Sequence, residues 1–122
     1  MTEFPDFDPS ALDRLQRLGG NEFTCKMLDL FLDYVAKKIG EARAAHTAGN
    51  LEAVESAVHP LKSSAGNVGA ARLRALATQA EDLARQGQAE AVTACLAELE
   101  AAFAAVKPVL EQKRQALSPP GR

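Results

Sequence analysis

Residues 51–70 read LEAVESAVHPLKSSAGNVGA. Within them Leu51, Val54, Val58, Leu61, Ala65 and Val68 recur at steps of 3, 4, 3, 4 and 3. That is the seam of a helix packed lengthwise against neighbours, not the two-residue alternation of a strand. The run Gly66-Asn67-Val68-Gly69 supplies a turn at its end. A helix with such a seam needs partners on both sides of it.

Toward the C-terminus, a helix with Leu73, Leu76, Ala80 and Leu83 inward should end at Gln86-Gly87. Another should run from Ala89 to Gln115, with Val92, Leu96, Leu99, Phe103, Val106 and Leu110 inward and a kink at Pro108. Toward the N-terminus, Phe23, Met27, Leu30, Phe31, Tyr34, Val35, Ile39 and Ala42 form a broad apolar face, capped by Asn21 and closed by Gly49-Asn50. Gly40 within it costs about 1 kcal/mol relative to Ala. Asp8-Pro9 starts a short first helix carrying Leu12, Leu15 and Leu18, which Gly19-Gly20 ends. The expected fold is all-α: an up-down-up-down four-helix bundle with a short additional N-terminal helix. Residues 1–115 should form it, with 116–122, ending Ser-Pro-Pro-Gly-Arg, as a flexible tail.

Composition agrees. Of 122 residues, 47% are apolar and only 5% aromatic, so strand formers are scarce while helix formers abound. A net charge of −2 without a basic stripe argues against nucleic acid as a partner. The apolar runs are too short and too often charged to span a membrane. The acidic N-terminus carries no secretory signal. Cys25 and Cys95 form no CxxC pair and read as free thiols of a reducing compartment, so a cytoplasmic location is expected.

The chemistry concentrates at His59. It follows Val58 and so is rotated about 100° from the seam, toward the edge of the buried stripe. Lys62, Ser63 and Gly66, at three, four and seven residues on, share its face. An imidazole nitrogen is nucleophilic near neutral pH. Lys62 could offset the charge of a phosphoryl group carried there, and the small neighbours leave room for another protein to reach it. Counting outward from the Gly69-Ala70 turn puts Glu81 at the height of His59, where its carboxylate could accept from Nδ1 and leave Nε2 outward. Gln79 and Asp82 are less well placed for that role. His46, near a helix C-terminus, reads as structural. Cys95 reads as a small core residue. Lys37 and Lys38, near the level of His59 on the neighbouring helix, read as solvated.

The stretch from His59 to Ala70 resembles the signature of histidine-containing phosphotransfer (HPt) domains: His-x-Leu-Lys-Gly/Ser-Ser, an apolar residue, then Gly-Ala at the turn. His59, Leu61, Lys62, Ser64, Val68, Gly69 and Ala70 carry the match, and the helix order extends it over nearly the whole chain. The resemblance implies that His59 is the phosphoacceptor, Lys62 its electrostatic partner and Glu81 the group that bonds the imidazole. Gly66 and Gly69 would serve access and turning. Ser63 stands where many members have Gly. Pro60 is a departure: it frees the Ser56 carbonyl and should bend the helix or expose His59 further.

The implied function is a phosphorelay intermediate, exchanging a phosphoryl group with response-regulator receiver domains and a sensor (hybrid) histidine kinase. The chain itself would need no cofactor and no metal, because Mg²⁺ would sit on the receiver. A non-catalytic receiver-docking module is the competing reading. A kinase would need a Gly-rich nucleotide site and more length. A metal-binding bundle would need Glu-x-x-His pairs, and Arg43 and Ser56 occupy the positions three before His46 and His59. The chain is therefore not expected to be an enzyme alone. A stand-alone monomer is expected.

Overall fold

The computed structural model describes residues 7–118. Four helical spans make up the described residues: α1 Ser10–Thr47, α2 Leu51–Val68, α3 Ala71–Arg85 and α4 Ala89–Leu117. There is no strand among the described residues. Three short turns join them, so sequential neighbours run antiparallel, and α1 packs on α2 and α4 while α3 packs on α2 and α4. The expected bundle is the one that forms.

The expected break at Gly19-Gly20 falls inside α1. Gly20 leaves helical geometry at φ 84°, ψ −175°, so α1 is a short and a long helical arm that meet at a kink with no loop between them. Glycine adopts that φ without strain. Asn21, expected to cap a new helix, instead accepts from Gln16 Nε2 at 2.8 Å. At the start of α1, Asp8 Oδ1 accepts from both Ser10 N and Ser10 Oγ, as its capping role requires. At the other end, α4 continues through Ala116 and Leu117, two residues into the segment expected to be a loose tail. The rest of that expected tail, 119–122, lies outside the described residues.

The α2 seam is inside except at its first member, Leu51, which is partly buried. Val54, Val58, Leu61, Ala65 and Val68 are buried against Leu28, Phe31 and Val35 of α1 and Leu73, Leu76 and Ala80 of α3. Val92, Leu96, Leu99, Val106 and Leu110 close the core from α4. Each fully buried Leu or Val contributes about 1.5–3 kcal/mol of transfer free energy. Asn50 caps α2 by accepting from Ala53 N at 3.0 Å. α2 runs on through Pro60, and α4 through Pro108.

Gly69 ends α2 at φ 81°, with Ala70 N donating to the Ala65 carbonyl at 2.9 Å. It serves a second purpose. Asp8 N donates to the Gly69 carbonyl at 2.7 Å, and a Cβ at Gly69 would collide with the Asp8 backbone. The N-terminal segment is thus strapped across the α2–α3 turn. Gly66 stays helical and helps to close that turn, its carbonyl accepting from Gly69 N at 3.4 Å; the Arg74 guanidinium lies over it, about 3.1 Å from where a Cβ would stand.

The broad apolar face of α1 is only partly core. Leu30 and Tyr34 are 55% and 39% exposed, Phe23 is exposed and Leu18 is 75% exposed. Thr24, Cys25 and Leu28 take the inner positions, with Thr24 Oγ1 returning its hydrogen bond to the Gly20 carbonyl. Leu83 and Phe103, expected inward, are only partly buried.

Candidate functional site

α2 and α3 lie side by side about the Gly69-Ala70 turn, and the register expected from that turn is the register found. His59 Nδ1 is hydrogen-bonded to Glu81 Oε2 across the two helices. A carboxylate can only accept, so Nδ1 carries the proton and the neutral ring keeps its lone pair on Nε2. The His59 side chain is 63% exposed. Its helix offset from Val58 places it at the lip of the α2–α3 groove, neither in the core nor free of it.

Glu81 is the unusual member, because its carboxylate is only 4% exposed. Its own set of donors covers it. Lys62 Nζ lies 2.5 Å from Oε1, and Arg85 Nη2 lies 3.4 Å from Oε2, beside His59. The hydrogen bond from Lys62, reinforced by His59, holds the carboxyl below the ordinary carboxylate range, against the opposing effect of burial. Glu81 is therefore ionised near neutral pH. Of the two alternatives, Gln79 is exposed on α3, and Asp82 accepts from Arg85 Nη1 at 3.2 Å.

Lys62 thus sits on Glu81 rather than free on the ridge. Ser63 is exposed one turn from His59, and Gly66 lies a further turn along under Arg74. Gly69 shapes the turn that sets the register. Two participants were not anticipated: Arg85, and Glu55, whose Oε2 accepts from Arg85 Nε at 3.1 Å. Spacing alone could have flagged them, since Glu55 is four residues before His59 and Arg85 four after Glu81.

The other singled-out groups are elsewhere. His46 Nε2 lies 2.9 Å from Thr93 Oγ1 and 3.2 Å from the Ala89 carbonyl, joining α1 to α4. Cys95 is buried, its thiol pushed up by burial, and both cysteines are free. Lys38 pairs with Glu41 and lies over the Tyr34 ring. Beside the α2 ridge, Met27, Leu30, Tyr34, Ser64, Asn67 and Val68 line an open depression of about 220 Å³.

A four-helix bundle that presents one exposed, Nδ1-tethered histidine from a groove between two helices defines a class: the histidine-bearing transfer modules. The comparisons agree. The Hpt domain model matches residues 26–108, and the chain belongs to that family. It is 31% identical over 111 residues to histidine-containing phosphotransfer protein 2 of Arabidopsis thaliana, covering 88% of this chain and 71% of that protein. Among solved structures it is similar to histidine-containing phosphotransfer protein B of Pseudomonas aeruginosa, with TM-score 0.87, 28% identity, and 92% and 96% of the two chains covered. A maize histidine-containing phosphotransfer protein gives TM-score 0.80 and 25% identity over 92% and 84%. The chain accordingly has a phosphorelay role, in a family of phosphocarriers that work with two-component kinases and response regulators. No helix among the described residues is long and apolar enough to cross a membrane.

Proposed function

We propose that this chain is a cytoplasmic phosphorelay intermediate that accepts a phosphoryl group on Nε2 of His59 from a receiver-domain aspartate or a kinase relay, and passes it to another receiver aspartate. The observation that carries this reading is the bond from His59 Nδ1 to Glu81 on an otherwise exposed ring. In transfer, the Nε2 lone pair forms the N–P bond as the O–P bond to the donor aspartate breaks, and that aspartate leaves as carboxylate. No proton need move. Nδ1–H stays, the ring becomes cationic, and Glu81 offsets that charge through the same hydrogen bond. The reverse transfer takes the same path.

Lys62 offsets the negative charge on the phosphoryl group, and exposed Ser63 and small Gly66 keep the approach to Nε2 open. The chain itself supplies no metal. Mg²⁺ belongs to the receiver, whose aspartate it neutralises. The exposed apolar side chains of Leu30 and Tyr34, beside the α2 ridge, suit a docking surface for the receiver. A monomer is the proposed state.

The test uses phosphoramidate, a small donor that needs no cognate partner, with intact mass recorded for the wild type and a His59→Gln variant. One acid-labile phosphoryl group, absent from the variant, is expected. No adduct, or the same adduct on the variant, would leave the receiver-docking module as the better reading.

A further inference from the structure

Two cations of different kinds share the Glu81 carboxylate. Lys62 reaches Oε1 at the end of a flexible stem and meets no other carboxylate among the described residues. Arg85 reaches Oε2 while the rest of its guanidinium is engaged, with Nε on Glu55 and Nη1 on Asp82. Its Nε, Nη1 and Nη2 each face a different carboxylate, which aligns the planar fork although the side chain is 55% exposed.

We propose that Arg85 is a positioning residue, the standing counter-cation that keeps Glu81 aimed at His59 Nδ1 while Lys62 leaves it for the phosphoryl group. This rests on His59 being the acceptor. The argument is one of charge. A phosphoryl group on Nε2 adds roughly 1.5 to 2 negative charges one helical turn from Lys62. The single ammonium of Lys62 cannot serve that group and Glu81 equally. Once it moves, and until the N–P bond makes the ring cationic, a covered carboxylate with no other cation would tend to take up a proton and cease to accept from Nδ1–H. Arg85 stays behind, because Glu55 and Asp82 hold two of its edges. Glu55 also lies one turn before His59 on α2, so the same guanidinium ties together the two helices that carry His59 and Glu81.

The Lys62→Ala variant mimics the moment after the lysine has left. Its His59 tautomer, read by ¹⁵N NMR on the unreacted protein, should remain the single Nδ1–H form, because Arg85 still holds Glu81. In the Lys62→Ala/Arg85→Gln double variant the tautomers should mix. Glu55→Gln in the Lys62→Ala background, which frees Arg85 without removing its charge, should give a smaller change of the same kind. In phosphoramidate reactions, Arg85→Gln should slow phosphorylation about tenfold. Lys62→Ala should then cost less in that background than in the wild type, since without Arg85 the lysine stays on Glu81. A tautomer already mixed in Lys62→Ala, one still single in the double variant, or rate costs that simply multiply would overturn the proposal. A wild type that takes no phosphoryl group refutes the acceptor reading instead. The tautomer comparison still decides whether Arg85 positions the ring.

Discussion

The two histidines of this chain are the same ring in opposite circumstances. His46 is held through Nε2, by a hydroxyl and a carbonyl at the junction of α1 and α4. His59 is held through Nδ1, by a buried carboxylate, and its far nitrogen faces outward from the α2–α3 lip. A fastening differs from a nucleophile here in which nitrogen is tied and to which group. A carboxylate partner also stabilises the positive charge that a substituent on the other nitrogen creates, which a backbone carbonyl does much less well.

The sharpest way to break this contrast is to exchange the losses. With a cognate receiver or phosphoramidate, His59→Gln should abolish phosphorylation, while His46→Gln should leave the rate within about twofold. Stability should show the reverse. His46→Gln should cost about 1 kcal/mol in urea unfolding, and His59→Gln should cost less than that, because the Gln amide can still donate to Glu81, which Lys62 and Arg85 also hold. Phosphorylation that survives in His59→Gln and disappears in His46→Gln would invert the assignment. Next in size is Glu81→Ala, which removes the tether and should slow phosphorylation about ten- to a hundredfold.

Pro60 stands directly after His59 and has no counterpart beside His46. Pro60→Ala restores a donor for the Ser56 carbonyl and should stabilise the chain by about 1–2 kcal/mol, measured by urea unfolding. The smallest effect concerns pH. The folded-state pKa of Glu81 is depressed from 4.5, so its stabilising contribution is complete above that value and is lost as pH falls through the lowered one. The gap in Tm between the wild type and Glu81→Gln should therefore be widest near neutrality and narrow below about pH 4. A gap that widens on acidification would contradict the ionised, cation-held carboxylate.

The same contrast shows how far a linear reading can reach. The His59–Glu81 pairing was legible because both residues are counted from one turn, and a helix rises by a constant amount per residue. The α2 seam was legible because its steps alternate so regularly. Arg85 and Glu55 were not, because an arginine side chain spans more than a helical turn and sequence does not say which carboxylates it will meet. On α1 the apolar face is wider than the core it serves, so Leu30 and Tyr34 read as inward although they face out. Gly19-Gly20 reads as a stop, and Gly20 does leave helical geometry there, but sequence does not say that the second arm starts again with no loop between. Gly66 reads as part of the turn, which its carbonyl does help to close, but sequence does not show that it also makes room for a neighbour, here Arg74.

The pairing of Lys62 with Glu81 has a further consequence, for selectivity. At rest the ionised groups around His59 are three carboxylates, Glu55, Glu81 and Asp82, against two cations, Lys62 and Arg85, both already engaged. This cluster of five charges thus carries one net negative charge, and neither of its cations is idle. Free phosphate and nucleotides, abundant in any cell, find little to hold them there. A phosphoryl donor that arrives with its own docking surface stays far longer than a small one, which reacts only when supplied at high concentration, so the site screens its visitors by electrostatic indifference.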